Sequence, residues 1–547
     1  MMEGCVPWPD EFIRQYREKG YWEDIPFGDQ IDGWVKNYAD RPAIAFQGQE
    51  VTYRQMEANV TRLAYHLVKM GIKTYDRVVV QLLNGPELVY LVYACFKIGA
   101  IPIATLPTHR LSEISNIAQQ AEARAHAIPA GSLKDFNFEE FADKIREAVS
   151  SMEFVLTAGP PQRPGMFCIN DIIEQDIDLG KARAKLKAYR PDPMEPAIFQ
   201  LSGGTTGTPK IIPRTHNDYY YNAKCCAEAQ GFDENTRLLM PAPMMHNFPM
   251  VCGTIPCHIK GGTVVTLSSP APENILKTIE KNKVNTIGSM PVLLRILELP
   301  EKTRQKYDIS SVKLLMAIAN PPLMDVFQCD AIQVFGMAEG IISWSRQNDP
   351  PEIKHKTQGR MVSEADEMKI LDLMTAKEIP AGEKGEMICR GPYTIRGYYK
   401  APERNAEAFT PDGYYRSGDL VTLDAKGNML WTGRIKDCID RGGEKVNAEE
   451  VEAHIVEFSK VYQAAAVGMP DKVLGERICA FVVPRQGETF TLEELQEFLL
   501  NECQIAKFKL PERLEFLAEL PVTKVGKFEK TSLREQIAKK LEAEGKI

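Results

Sequence analysis

The chain has no surplus of basic residues. Its 66 lysines and arginines are outnumbered by 74 aspartates and glutamates, giving a net charge of −8. Nucleic-acid binders rely on a basic field, so that class of partner is not expected. Long apolar runs are missing too. The most apolar stretch, "LVYLVYACFKIGAIPIA" (88–104), is broken by Lys97, Gly99 and Pro102, and reads as a buried helix followed by a strand rather than a membrane span. The opening "MMEGCVPWPDEF" carries acidic residues and no apolar core, so no secretory signal is expected. The 12 cysteines show no C-x-x-C spacing, and Cys225 and Cys226 are adjacent. That gives no expectation of a disulfide framework or a zinc site, and points to a reducing cytoplasm.

What is present is an ordinary globular balance, 44% hydrophobic and 26% charged, with enough length for several domains. β-rich runs alternate with amphipathic helices. "DRVVVQLLN" (76–84), "PELVYLVYACFKIG" (86–99) and "AIPIATL" (100–106) read as strand, helix and strand, and residues 261–288 repeat the pattern. Such βαβ units imply parallel sheets covered by helices. The last stretch has a different texture, with capping-box spacing at Asn447/Glu450 and Thr491/Glu494 around short strands. The expectation is an α/β protein: a large N-terminal domain (1–435) of parallel-sheet subdomains plus a β-rich subdomain. A small mobile α+β domain (436–547) follows, hinged near "GRIKD".

Four motifs carry chemistry. "LSGGTTGTPK" (201–210) follows a strand-like "PAIFQL", so its glycines lie beyond the strand's carboxyl end. Glycines admit an anion close to the backbone, and Ser202, Thr205, Thr206 and Thr208 add hydroxyl donors. It is not a Walker A loop, because Thr208 and Pro209 intervene before Lys210. Alone it is equally a mobile surface loop. In "GYYRSGDLVTLDAKGNMLWTGRIKD" (413–437) a hairpin turning at Lys426–Gly427 brings Asp419 and Arg434 to one end. A carboxylate there can hold a ribose diol, or the pair can simply close the hairpin. "QVFGMAEG" (333–340) offers Phe335 to a purine face and Glu339 to Mg²⁺; the alternatives are a core phenylalanine and a helix cap. Lys527 lies in a glycine-containing loop ahead of an amphipathic helix, where lysines are commonly solvated charges.

Together and in this order, the motifs resemble the AMP-forming adenylation superfamily of acyl-CoA ligases, luciferases and peptide-synthetase adenylation domains. The resemblance spans nearly the whole chain. "FQLSGGTTGTPKIIPRTHNDY", "HNFP", "TQGR", "RGPYTIRGYY" and "RGGEKV" are most similar to stand-alone aryl acid–AMP ligases of siderophore biosynthesis. The resemblance implies that Ser202, Gly203, Gly204, Thr205, Thr206, Gly207 and Lys210 hold the ATP phosphates. Phe335 and Gly336 would receive adenine, Asp419 and Arg434 the ribose, and Glu339 the Mg²⁺. Lys527 matches the catalytic lysine and Lys436 the hinge, while Gly442, Gly443 and Lys445 match the face presented for thiol transfer.

For the acid, the resemblance points to "PMMHNFPMVCG" (243–253). Asn247 matches an asparagine that binds an ortho-hydroxyl, with His246 and Phe248 shaping the wall. Cys252 and Ile342 stand where dihydroxybenzoate activators tend to have serine and valine. Cysteine is a poor hydrogen-bonding partner and isoleucine is bulkier, so salicylate is favoured over 2,3-dihydroxybenzoate. The chain departs from the pattern at "AIAN" (317–320), at Gly253 where proline is common, and at Ser289. No LGGxS or HHxxxDG motif occurs, so the acceptor is a separate molecule: an aryl carrier protein's phosphopantetheine, or coenzyme A. A non-catalytic relative would have no reason to keep Lys210, Glu339, Asp419 and Lys527 together.

Overall fold

The strand–helix–strand unit read at residues 76–106 forms, and its sequence explains its boundaries. Pro86 opens the helix Pro86–Ile98, where its missing N–H costs nothing. Gly99 closes it at φ 67°, a left-handed conformation that side chains disfavour. Every residue of this helix except Glu87 is buried. Each fully buried Leu, Val or Phe contributes about 1.5–3 kcal/mol, so this element anchors the core.

The computed structural model describes residues 1–202, 209–267, 269–288, 290–317, 319–441, 444–471, 474–503, 505–523 and 528–546. Among them, seven strands form one sheet in the order Ile211–Thr215, Pro196–Leu201, Ile101–Ala104, Arg77–Val80, Ala125–Pro129, Phe154–Ala158, Phe167–Cys168. It is parallel apart from the antiparallel edge pair at Ile211–Thr215. A nine-stranded sheet has a parallel centre running from Asp330–Gly336 through Leu314–Ala317, Thr286–Gly288, Arg237–Leu239 and Thr263–Thr266 to Pro42–Phe46. Antiparallel strands close it at both ends.

These sheets belong to the first of two compact units, which takes most of residues 1–367 together with Cys389–Tyr415. The second unit takes Met368–Ile388 and the chain from Arg416 onward. It holds most of the antiparallel sheet Glu367–Leu371, Lys384–Arg390, Tyr415–Leu423, Met429–Arg434, and a further five-stranded sheet. Helices Ala448–Glu457, Leu492–Asn501 and Lys530–Ala543 accompany the latter.

The helix caps differ in detail from their spacing. Asn447 caps its helix, but through the amide of Glu449, and Glu450 instead pairs with Lys509. Thr491 does accept the Glu494 amide, while the Glu494 carboxylate turns to Lys460. A nearby lysine outcompetes a backbone amide for each carboxylate.

Candidate active site

In the first unit the candidate residues gather around the exit of strand Pro196–Leu201. Ser202 Oγ accepts the Lys210 amide at 3.0 Å, and the Ser202 amide donates to the Lys210 carbonyl at 3.0 Å. That reciprocal pair closes the neck of the glycine–threonine loop. Gly203, Gly204, Thr205, Thr206 and Gly207 themselves lie outside the described residues.

Beyond the neck, the Lys210 ammonium stands 4.9 Å from the centre of the Tyr398 ring. The Tyr398 hydroxyl donates to Glu339 Oε1 at 2.8 Å and lies 3.1 Å from the Tyr415 hydroxyl. Burial, with the Glu339 charge, pushes the Tyr398 hydroxyl far above its ordinary range, so it remains a donor. Glu339 therefore caps no helix. Its second oxygen has no hydrogen-bond donor among the described residues, and a carboxylate oxygen so placed suits a hard divalent cation.

Glu339 sits in a turn that only glycine can make. Gly340 has φ +150°, and a Cβ there would fall 2.5 Å from Thr394 Cα. Arg214 braces the same turn. It is fully buried, its Nε pairs with Asp218 at 2.7 Å, and its two terminal nitrogens donate to Ala338 O at 2.9 Å and Tyr393 O at 3.0 Å. Phe335 and Gly336 end strand Asp330–Gly336, with Phe335 half-buried and Gly336 exposed. A Cβ at Gly336 would lie 3.1 Å from Ile342 Cγ1, so a side chain there would fill the cradle above the buried Ile342.

The segment expected to read the acid is irregular. A short helical turn, Asn247–Pro249, runs into the π-helical stretch Met250–Thr254 and then helix Ile255–Ile259. π-Bulges of this kind concentrate at functional sites. His246 caps the turn, its Nδ1 accepting the Phe248 amide at 3.4 Å. Phe248 stacks on Trp344 with ring centres 6.0 Å apart. Asn247 Oδ1 accepts from the Tyr219 hydroxyl at 3.3 Å, and that hydroxyl accepts from Gln200 Nε2 at 3.0 Å. With its carbonyl oxygen occupied, Asn247 has its amino group left to donate. Buried Cys252 lies 3.8 Å, sulfur to sulfur, from Cys226.

In the second unit the hairpin brings Asp419 directly opposite Arg434, with a bulge between Leu420 and Val421 shifting the register set at the turn by one residue. Asp419 Oδ1 accepts from Trp431 Nε1 at 2.9 Å and Arg434 Nε at 3.2 Å. Ser417 Oγ receives the Asp419 amide and donates to Met387 O. Trp431 and Arg434 thus hold the carboxylate, and Ser417 holds the backbone beneath it. Next to it, burial and the Arg434 charge pull the Lys436 ammonium below its ordinary value. Arg534 reaches the Lys436 carbonyl and Asp437, each at 3.3 Å. Lys530, at the start of helix Lys530–Ala543, pairs with Glu449 at 3.2 Å and Glu452 at 2.9 Å. Burial raises the Glu452 carboxyl to about 7. Lys527, Gly442 and Gly443 lie outside the described residues, as does the side chain of Lys445.

Four residues that position the site were missed by sequence reasoning: Gln200, Arg214, Tyr219 and Tyr398. All four sit inside the motif strings, where an aromatic or an arginine beside a polar run was the available signal.

The chain matches the family model described as AMP-binding enzyme over residues 31–399, and that of the AMP-binding enzyme C-terminal domain over residues 450–527. It is 39% identical over 549 residues to a 2,3-dihydroxybenzoate-AMP ligase of Bacillus subtilis (strain 168), covering 99% of each chain. A salicylyl-CoA synthase / salicylate adenylyltransferase of a Streptomyces species is 39% identical over 553 residues, with 99% of each chain covered. Among solved structures, apo MbtA of Mycobacterium smegmatis is similar at 33% identity and TM-score 0.70, over 97% of this chain and 99% of that one. The anthranilate CoA ligase AuaEII, at 22% identity and TM-score 0.81, shares the fold over 95% of this chain and 98% of its own.

Proposed function

We propose, since the chain belongs to the AMP-binding enzyme family, that it is an ATP-dependent ligase that adenylates an aryl carboxylic acid and passes the acyl group to a thiol. Adenylation of an aryl acid is the reaction of its end-to-end relatives. One carboxylate oxygen bonds to the α-phosphorus of ATP, and the bond to the bridging oxygen of pyrophosphate breaks. The mixed anhydride is then attacked at its carbonyl by a thiolate, and AMP departs with the electron pair.

The observation that carries this reading is the run Lys210, Tyr398, Glu339 at the loop neck. A cation, a fixed donor and a carboxylate gathered beside that neck support the holding of a triphosphate and its counter-ion there. Mg²⁺, bound at Glu339, supplies charge neutralisation when two anions meet. Lys527 stabilises the charge building on the α-phosphate, and Ser202, Gly203, Gly204, Thr205, Thr206, Gly207 and Lys210 grip the leaving pyrophosphate. Phe335 and Gly336 receive the base, and Asp419 with Arg434 the ribose. Neither a general base nor a covalent nucleophile is needed in the first step.

For the acid, Asn247 donates its amino group to an ortho-hydroxyl, and Cys252, Ile342, Phe248 and His246 shape the rest. Salicylate is the preferred substrate in this reading, with 2,3-dihydroxybenzoate next. The small domain, residues 436–547, pivots at Lys436 between the half-reactions and presents Gly442, Gly443 and Lys445 to the incoming thiol. The acceptor is the phosphopantetheine arm of a separate aryl carrier protein, in the cytoplasm. No described helix is long and apolar enough to cross a membrane.

ATP–pyrophosphate exchange across a panel of benzoates tests the acid, and offering carrier protein and coenzyme A in parallel tests the acceptor. Exchange with no aryl acid would overturn the proposal. Lys527→Ala should abolish adenylate formation yet spare thiol transfer from preformed adenylate; equal loss of both steps would count against the pivot.

A further inference from the structure

The second unit contains a group of metal-ligating side chains that the adenylation chemistry does not use. His454 and Glu457 lie one turn apart at the end of helix Ala448–Glu457, and Cys503 follows helix Leu492–Asn501. His454 Nδ1 is 3.6 Å from Glu457 Oε1, Cys503 Sγ is 3.9 Å from Glu457 Oε2, and the three ligand atoms all lie within 4.8 Å of one another. Tetrahedral zinc, with bonds of about 2.0–2.3 Å, sets its ligand atoms about 3.3–3.6 Å apart. Small side-chain rotations close the difference.

Each of the three groups is poorly served without a cation. His454 Nδ1 is shut off from solvent and has no hydrogen-bond partner among the described residues. Glu457 occupies the last position of its helix, where the partial negative charge of the carbonyls disfavours a carboxylate. The Cys503 thiol donates to Glu457 Oε2 at 3.9 Å, a long and weak hydrogen bond. One divalent ion would satisfy all three together.

The ligands also stand on packed elements. Ala448, Val451 and Ile455 bury the face of the first helix, and Leu495 and Leu499 that of the second. Cys503 is fixed by its amide, which donates to the Phe498 carbonyl at 3.3 Å. The backbones that carry the ligands are therefore fixed, and only the side chains have to adjust.

We propose that His454, Glu457 and Cys503 form a binding site for a zinc-class divalent transition metal, separate from the Mg²⁺ of the reaction. The mixed nitrogen, oxygen and sulfur donors select such a metal over Mg²⁺ or Ca²⁺, which take oxygen ligands. Three protein ligands leave a fourth position open. The bound ion ties the end of one helix to the exit of the other. The absence of C-x-x-C spacing does not bear on it, since its ligands come from two elements far apart in sequence.

The test is Co²⁺ titration of the reduced, metal-free full-length protein, followed through the thiolate-to-cobalt charge-transfer absorption in the near ultraviolet. The expected result is a saturable band at one equivalent that Zn²⁺ displaces and Mg²⁺ does not. Cys503→Ser should abolish the band, and His454→Gln or Glu457→Gln should each weaken cobalt binding by about tenfold or more. Cys503→Ser should keep ATP–pyrophosphate exchange, which shows that it is folded. No charge-transfer band in the native protein, or an equal band in folded Cys503→Ser, overturns the site.

Discussion

Tyr219→Phe removes one oxygen atom from the middle of the Gln200–Tyr219–Asn247 chain and leaves the ring in place. The hydroxyl accepts from Gln200 at 3.0 Å and donates to Asn247 at 3.3 Å, and both neighbours are buried. Its loss frees the Asn247 amide to rotate, so the amino group is no longer aimed by the protein. A neutral hydrogen bond is worth about 0.5–1.5 kcal/mol net, which is about a two- to thirteenfold effect on a rate constant. Preference for salicylate over benzoate, measured as the ratio of kcat/KM in ATP–pyrophosphate exchange, should fall by that factor. The fall should come through the salicylate KM, with the KM for ATP unchanged. Thermal stability should also drop, because a buried donor and acceptor each left unpaired cost about 1–3 kcal/mol. An unchanged ratio, or equal losses for the two acids, would refute the idea that Tyr219 aims Asn247.

Arg214→Met should be among the most destabilising substitutions, because it takes the cation from the buried Asp218 carboxyl and leaves it the neutral Thr215 donors. Breaking a buried pair costs about 3–5 kcal/mol, which thermal denaturation should register together with weakened Mg²⁺-dependent exchange. Tyr398→Phe removes the donor that fixes Glu339, so the Mg²⁺ concentration for half-maximal exchange should shift several-fold while the acid KM stays put. Asp366 supplies a pH signature. Burial pushes its carboxyl up to about 8, with the Tyr393 hydroxyl opposing, and its Oδ1 has no hydrogen-bond partner among the described residues. A raised native value means the folded protein holds a proton that the unfolded chain releases above pH ~4. This group's contribution therefore weakens as pH rises toward 8, by about 1.4 kcal/mol per pH unit, and levels off beyond. Asp366→Asn removes that slope, so the gap between variant and native denaturation midpoints should widen steadily from pH 5 to 8. A constant gap would show that Asp366 is ionised in the fold.

What could be read from the sequence was local or set by one turn. That Asp419 and Arg434 meet at one end of a hairpin follows from its turn, although a bulge between Leu420 and Val421 is what sets them opposite each other, and the helix at Pro86 follows from its proline and closing glycine. The capping boxes were half right because Lys509 and Lys460 compete for the carboxylates from elsewhere in the chain. The supports of the site were not legible for the same reason. Arg214 reaches Ala338 and Tyr393, and Tyr398 meets Glu339, across separations that no spacing rule spans. Asn247 was singled out as a recognition residue, yet Tyr219, which aims it, lies in another helix and carries no periodicity of its own.

Gly253, where proline was expected, gains its sense from Met240. A Cβ at Gly253 would meet Met240 Cε at 2.9 Å, and one at Gly288 would meet Met240 Sδ at 2.1 Å. The thioether therefore fills space that glycine leaves at two positions, one in the π-helical segment Met250–Thr254 and one on a central strand. Positions 240, 253 and 288 share one volume, so substitutions there will not act independently. Restoring proline at 253 alone crowds the methionine, and shortening the methionine alone opens a void. A lineage changing the shape of this wall has to alter the positions together.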